Sequence, residues 1–525
     1  MVPGILEEAG RFAAGRLAPV NRQGDTVGAK LKDGVVSLPE GWPQIYRDWA
    51  EAGWNGVDLE PEWGGMGLPT RLATVAMEFW TSACMSFAMG PVLTQGAADT
   101  LVLHASEELK AVYLAKMVSG EWSATMNLTE PQAGSDLGAL TTRAERNGDG
   151  TYRITGNKIF ISYGEHDLTE NIIHLVLARL PDAPPGTKGI SLFLVPKFLV
   201  NADGSLGKRN DLHCAGIEHK LGIHASPTCA MVFGDTGGAI GWLIGEENRG
   251  LNCMFTMMNK ARLFTGLQGV SIAERAYQQA LEYARTRKQG RALGARETSL
   301  IIEHPDVRRN LQRMRALTAA SRAIAYNAAR VIDLAHAAPD AAMRAKANER
   351  AGLFTPITKA WCTDIGVEVA SLGIQIHGGM GYVEETGAAQ HFRDARIPPI
   401  YEGTNGIQGI DLVLRKVLRP GSMLAEEVIA EFNALGVVAD AAAESRFGAL
   451  GKIVIEAAAA LTAATRWLRD NEAETNLLLG SATPYLALFG TVAGAAWLAK
   501  GAVAAAARQK QGDTVPVLEQ AIVDA

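Results

Sequence analysis

The residue in this 525-residue chain with the clearest chemical prospects is Glu402. It lies in the stretch Arg396-Ile-Pro-Pro-Ile-Tyr-Glu-Gly-Thr-Asn-Gly-Ile-Gln408. Pro398 and Pro399 forbid helix there, and Gly403 and Thr404 open a new helix through Ile407, Ile410, Leu414 and Leu418. Between break and start, Glu402 is the one carboxylate among Ile397, Ile400 and Tyr401. Apolar walls disfavour a carboxylate's anion, which raises its pKa and makes it a usable base near neutral pH. A glutamate in a first helical turn can also simply face the helix dipole, so the local stretch leaves a structural role open. His213, Cys214, His219 and His224 are a second group of reactive types. Their separations match no common zinc spacing, so they are expected as polar loop residues of a β region, with no metal.

The elements that must position these residues follow from periodicity and turn chemistry. Residues 1–120 read as an N-terminal α-helical domain, with Ile45, Trp49, Val75, Ala76, Phe79 and Trp80 at helical spacings. Two turns interrupt it, the glycine-rich bend Pro61–Pro69 and a break at Met89-Gly-Pro91. Neither follows a strand, so neither is a dinucleotide fingerprint. Residues 121–246 read as a middle antiparallel β-barrel domain. Asn147-Gly-Asp-Gly150 is a hairpin signal, and Lys158–Ser162, Ile172–Ala178, Ile190–Val195 and Cys229–Phe233 are short β-rich runs. Residues 247–420 read as a C-terminal four-helix bundle carrying Glu402, with helices over about 254–286, 307–336 and 341–376 and the one after Glu402. Residues 421–525 form an additional α-helical region, rich in alanine. The fold class is therefore α+β multidomain.

Composition narrows the function classes. Hydrophobic residues make up 47% and charged residues 20%, which suits a large core. A net charge of −6 offers no general attraction to nucleic acid or acidic lipid. The five cysteines are scattered and make no C-x-x-C, which suits a reducing compartment, and no secretory signal opens the chain. A cytoplasmic chain is expected. Tyr485–Ala507 is apolar apart from Lys500, but its Gly490-x-x-x-Gly494 spacing points to tight packing in a helical bundle rather than a membrane span.

Three motifs in order carry a resemblance. Met126-Asn-Leu-Thr-Glu-Pro-Gln-Ala-Gly-Ser-Asp136 closes the first strand of the β region, Gln375-Ile-His-Gly-Gly379 ends the third bundle helix, and Arg393-Asp394 precedes Tyr401-Glu-Gly-Thr404. Together they resemble the FAD-dependent acyl-CoA dehydrogenase family, over the chain to about Leu418. Lys158–His166, Leu180–Lys188 and Glu218–His224 resemble the branch that includes 3-methylmercaptopropionyl-CoA dehydrogenase, which also carries an added C-terminal helical domain. Beside that branch the chain starts late and stops early, so a shortened gene product is an open expectation.

The resemblance implies an α,β-dehydrogenation of an acyl-CoA thioester to a trans-2-enoyl-CoA. The acyl group would be 3-methylmercaptopropionyl or a fatty acyl chain. Glu402 would be the base and its own N–H one donor to the thioester oxygen, while Gly403 lets the substrate pass close to the backbone. The alternative base position of some relatives falls on Ala261, which cannot serve, with Arg262 beside it near the thioester or the base. Met126, Leu128, Thr129 and Ser135 would form the flavin cradle, with Ser135 also meeting the substrate. Phe160 and Ser162 would lie against the other flavin face, where many relatives have Trp and Thr. Arg287 and Gln289 would bind the pyrophosphate, and His304, Gln375, Gly378 and Gly379 the adenosine end, with Thr404 beside the adenine-phosphate region. Gly406 replaces a glutamine common in relatives. The implied partners are the acyl-CoA substrate, electron-transferring flavoprotein as acceptor, and a second copy in a homodimer.

Two other readings share parts of this pattern. An acyl-CoA oxidase would use the same base and flavin but pass electrons to oxygen. A non-catalytic DNA-associated flavoprotein would need a basic C-terminal region, whereas Glu431, Asp440, Glu444, Glu456, Asp470, Glu472 and Glu474 make this one acidic.

Overall fold

The computed structural model describes residues 2–442, 444–513 and 515, so the final residues of the C-terminal region, 516–525, lie outside the described residues. The chain divides into two compact units, Met1–Ala261 and Arg262–Ala525.

In the first unit, helices Trp42–Glu51, Thr70–Ala83 and Met85–His104 meet on an aromatic core. Trp49 packs edge-on to Trp80 at 4.3 Å between centroids and to Phe87 at 5.7 Å. The expected break at Met89-Gly-Pro91 does not occur: helix Met85–His104 runs through Pro91. Almost every residue of that helix is buried, and this packing outweighs the proline penalty of about 3 kcal/mol. Gly90 leaves room for the Tyr163 ring, whose hydroxyl donates to Ser86 O at 2.6 Å. The helical reading of residues 1–120 also missed a small hairpin, Lys30–Lys32 with Val35–Ser37. Asp33 and Gly34 both adopt positive φ (51° and 75°) at its turn, an Asp-Gly pairing that favours tight hairpins.

The β region forms an eight-stranded sheet, antiparallel apart from the pairing of Trp122–Asn127 with Asn171–Arg179 and one parallel pair, Arg143 with Arg179. Asn171–Arg179 pairs with Ile190–Pro196, which pairs with Ala239–Ile244. The long strand Thr151–Ser162 pairs with Arg143–Arg146 on one side and divides its other side between two neighbours. Its first half pairs with Ala239–Ile244 and its second half with Thr228–Phe233. Gly156, at φ 154°, sits at the changeover, where a Cβ would lie 2.5 Å from Thr142 Oγ1. Further along, Ile159 and Phe160 together oppose the single Ala230, a bulge. The inner face buries Ile154, Val176, Phe193, Met231 and Phe233.

In the second unit, the rest of helix Gly250–Thr286 packs with Pro305–Ala337, Ala341–His377 and the helical run from Asn405, whose later part, Asp411–Val417, widens to π geometry. Helices Leu424–Ala441, Leu450–Asp470 and Thr475–Lys510 follow. Thr475–Lys510 is long and apolar enough to cross a membrane by length and composition, and half of that window is buried. Its Gly490 faces Trp361, and its Gly494 faces Ala320. The small-residue spacing thus serves helix packing. The same helix presses on the segment after Glu402, where a Cβ on Gly409 would stand 3.1 Å from the Ala482 backbone.

Two bundle helices cross at glycines. A Cβ on Gly269 would sit 2.1 Å from Cys362 O, and Gly366 lies against Gly269. Gly269→Ala should therefore lower stability by about 3 kcal/mol, since backbone cannot yield as a side chain can. Gly10→Ala, with nothing within 4 Å in a helix, should leave it unchanged or slightly raised. Urea denaturation of both variants checks the contrast.

Candidate active site

The second unit builds a site around Glu402. Pro399 O accepts from Asn405 N at 3.0 Å, closing a tight loop that carries Tyr401, Glu402 and Gly403. Glu402 and Gly403 both take positive φ, 56° and 81°. Strain of this kind in a non-glycine residue costs of order 1–3 kcal/mol and persists only when its surroundings enforce it. The enforcement is visible. The Glu402 carbonyl accepts from Arg262 Nε at 3.3 Å and from Gln408 Nε2 at 3.2 Å. A Cβ on Gly403 would collide with Gln408 Nε2 at 2.8 Å. Thr404 caps the following helix, its hydroxyl accepting from Ile407 N at 3.3 Å. The Tyr401 hydroxyl donates to Gln268 Oε1.

The carboxyl group has the character expected of a base. Its Oε2 is buried without a hydrogen-bond partner among the described residues. Burial lifts its pKa from the ordinary carboxylate range to about 7, although the Arg262 and Lys359 charges pull the other way. Among the described residues, the Glu402 N–H also donates to no protein group. Arg262, expected near this site, is there. Burial lowers its pKa while Asp411 and Glu402 support its charge.

The other expected residues fall in separate groups. At one end of the bundle, Arg287, Gln289 and His304 come together. Gln289 N donates to Ser299 O at 3.0 Å, and His304 Nε2 lies 2.9 Å from Gln289 O. Arg287 is exposed at this turn. Tyr283 stacks on the buried His377 at 4.5 Å, which brings Gln375 and the turn residues Gly378 and Gly379, all three exposed, to the same end. Gly378, at φ 59°, makes that turn after the helix ends.

In the first unit, Leu128 and Thr129 follow the edge strand that holds Met126. Thr129 O accepts from Ile159 N at 2.9 Å, which sets this segment beside the Phe160 bulge. Phe160 is forced to φ 60° and is 58% exposed, while Ser162 stays partly buried. Ser135 lies on an exposed loop. An apolar ring turned outward on strained backbone suits a planar aromatic ligand. That arrangement fits the cofactor the motifs imply. His224 meets backbone oxygens of Asp25 and Lys220, at 2.7 and 2.9 Å.

Sequence reasoning missed several residues here. Lys359, in an apolar run of helix Ala341–His377, donates to Asn405 Oδ1 at 2.8 Å. A lone lysine among Phe354, Ile357, Ala360, Trp361 and Cys362 was the available signal. Lys158 and Glu130 form a fully buried pair at 2.8 Å beneath Leu128, whose carbonyl also accepts from Lys158. Gln268 and Gln408 gave no sequence signal, because glutamine is common on any helix.

Comparison with known proteins identifies the family behind this architecture. Models of the acyl-CoA dehydrogenase N-terminal, middle and C-terminal domains match residues 4–121, 125–236 and 248–418. A model described as acetyl-CoA dehydrogenase C-terminal like matches 427–523. The chain is 48% identical to 3-methylmercaptopropionyl-CoA dehydrogenase of Ruegeria pomeroyi, over 99% of this chain and 88% of that protein. Among solved structures, butyryl-CoA dehydrogenase of Megasphaera elsdenii aligns with a TM-score of 0.66 at 26% identity, over 80% of this chain and 98% of that one. Caenorhabditis elegans ACDH-11, solved in complex with C11-CoA, shares the fold over 98% of this chain and 85% of that one, with a TM-score of 0.79 at 20% identity. The bundle and the β region thus agree with these matches: the chain belongs to the acyl-CoA dehydrogenase family, oxidoreductases that act on a CH–CH group.

Proposed function

We propose that Glu402 takes the α proton of an acyl-CoA thioester in an α,β-dehydrogenation, and that the chain holds FAD. The carrying observation is the Glu402 carboxyl group, buried without a partner on Oε2 beside an N–H that, among the described residues, no protein group engages. The electron pair of the α C–H bond becomes the new carbon–carbon π bond as the β hydrogen departs with its own pair. When bound, FAD supplies the acceptor for that hydrogen. The Glu402 N–H would hold the thioester oxygen, whose negative charge grows as the α proton leaves. Arg262 keeps the turn in place through the Glu402 carbonyl. Met126, Leu128, Thr129, Ser135, Phe160 and Ser162 would serve the flavin ring. Arg287, Gln289, His304, Gln375, Gly378, Gly379 and Thr404 would serve its phosphates and adenosine end, and Ser135 and Gly403 the substrate.

The identity to the Ruegeria pomeroyi protein supports 3-methylmercaptopropionyl-CoA as the substrate to test first, with butyryl-CoA as the straight-chain comparison. The expected result is faster flavin bleaching by the thioether substrate, and a preference for butyryl-CoA would overturn that choice. Electron-transferring flavoprotein is the proposed acceptor in a cytoplasmic homodimer. Substrate-reduced enzyme mixed with air-saturated buffer should stay reduced for minutes, and rapid reoxidation would favour an oxidase.

The pKa near 7 makes a pH prediction. Glu402 acts as a base only when ionised. Single-turnover flavin reduction should therefore rise about tenfold per pH unit below the Glu402 pKa and level off above it. Stability runs the other way. Because the folded pKa exceeds the ordinary 4.5, this group's contribution is present below that value and is lost as pH climbs through about 7.

A further inference from the structure

Lys359 is a buried charge that the mechanism above does not use. Its side chain is fully inaccessible, within an apolar helical run. It forms no salt bridge among the described residues, and its one hydrogen bond goes to the neutral Asn405 Oδ1 at 2.8 Å. Burying an ammonium without a contacting counter-charge is costly, and a leucine would fill the same space without that cost.

Asn405 explains where the charge is directed. Its Nδ2 donates to Ala360 O at 3.1 Å, Thr363 Oγ1 at 3.0 Å and Asp364 Oδ1 at 2.8 Å. With the amide hydrogens occupied, only Oδ1 is left to face Lys359. The Asn405 N–H closes the Glu402 loop on Pro399 O. The lysine is therefore clamped to the segment that holds the carboxylate.

We propose that Lys359 is a positioning residue whose buried positive charge keeps Glu402 ionised for proton abstraction. This rests on the reading of Glu402 as the base. The charged groups around the pair are few. Arg262, on the helix packed across from the loop, and Lys359 both act on Glu402. Burial lowers the Lys359 pKa to about 7, with Glu402 and then Asp364 supporting its charge and Arg262 adding to the lowering. Asp411 and Arg415 bear on Arg262, and Arg396 on Asp364. Neither Glu402 Oε2 nor Lys359 has a contacting counter-ion among the described residues, so the two groups interact through weakly screened space.

The test uses the FAD-loaded full chain and reads the protonated Glu402 carboxyl band by infrared difference titration, assigned by its absence in Glu402→Gln. Lys359→Met and Lys359→Gln remove the charge, and the glutamine keeps a donor for Asn405. Lys359→Arg retains the charge. Both neutral variants should raise the Glu402 midpoint by about one unit or more. They should also slow flavin reduction about tenfold at pH 7, with acyl-CoA Kd unchanged. Lys359→Arg should keep the wild-type midpoint. An unchanged midpoint in a neutral variant, or an equal shift in Lys359→Arg, would overturn the proposal. Should Lys359→Met fail to fold, Lys359→Gln decides. Normal flavin reduction by Glu402→Gln would remove the base assignment, while the infrared midpoints would still report whether Lys359 governs Glu402.

Discussion

Glu402→Gln should bind FAD and acyl-CoA as the wild type does, yet lose flavin reduction by about 10²- to 10⁴-fold. Glutamine preserves the shape of the side chain, so the φ 56° turn, the Arg262 and Gln408 bonds to the carbonyl and the Thr404 cap should all survive. What disappears is the group that accepts the proton. An interaction made only in the transition state appears in the rate and not in binding. Stopped-flow bleaching and equilibrium titration with the same acyl-CoA separate the two, and near-normal reduction would remove Glu402 from its role. The variant has a second signature. Wild type must keep a buried anion above the Glu402 pKa near 7, whereas glutamine carries no charge. Thermal denaturation should therefore favour Glu402→Gln at pH 8 and show little difference at pH 5.

Lys158→Met should destabilise the protein by about 3–5 kcal/mol, because it leaves the Glu130 carboxylate buried without its counter-charge. Glu130 is 2% exposed and Lys158 is fully buried. Burial alone would raise the Glu130 pKa, but Lys158 and the donors of Thr141 and Thr142 bring it down to about 2. Lys158 is itself lowered by burial to about 8. The depressed carboxylate contributes stability that is present above pH 4.5 and lost as pH falls toward 2. Glu130 accepts from Thr141 N at 2.7 Å and Thr142 N at 3.1 Å, and Lys158 holds Leu128 O at 3.0 Å. The pair therefore pins the segment proposed to cradle the flavin. Lys158→Met should lose FAD on gel filtration as well as stability in urea, and adding Glu130→Gln should restore part of both. A double variant no better than the single would show that the charge pairing is not the cause.

The features legible in the sequence are those set by a few neighbouring residues. Pro398 and Pro399 deny the helix, Thr404 starts the next one, and Gly403 permits the second left-handed residue of the turn. Asn147-Gly-Asp-Gly150 joins Arg143–Arg146 to the long strand as its turn chemistry requires. Gly490 and Gly494 allow close helix approach wherever that helix lies. The motifs around Thr129 and Gly378 identified the family for the same reason, since each is a short run with demanding backbone geometry.

Other features depended on residues far apart in the chain. Pro91 reads as a break, and burial of nearly all of the helix overrides it. Phe160 reads by pattern as a strand residue, placed against the flavin only by the resemblance, and a bulge against Ala230 turns it outward. Lys359 reads as a lone lysine in an apolar helical run, with no partner named by the sequence. Packing sets it against Asn405, 46 positions away, and Arg262 reaches the Glu402 carbonyl across 140 positions. Local sequence determines φ and ψ where proline, glycine and capping residues leave few choices. Which charges are buried together around Glu402 is decided only when the helices close, because burial and the weak screening it brings are properties of the assembled fold.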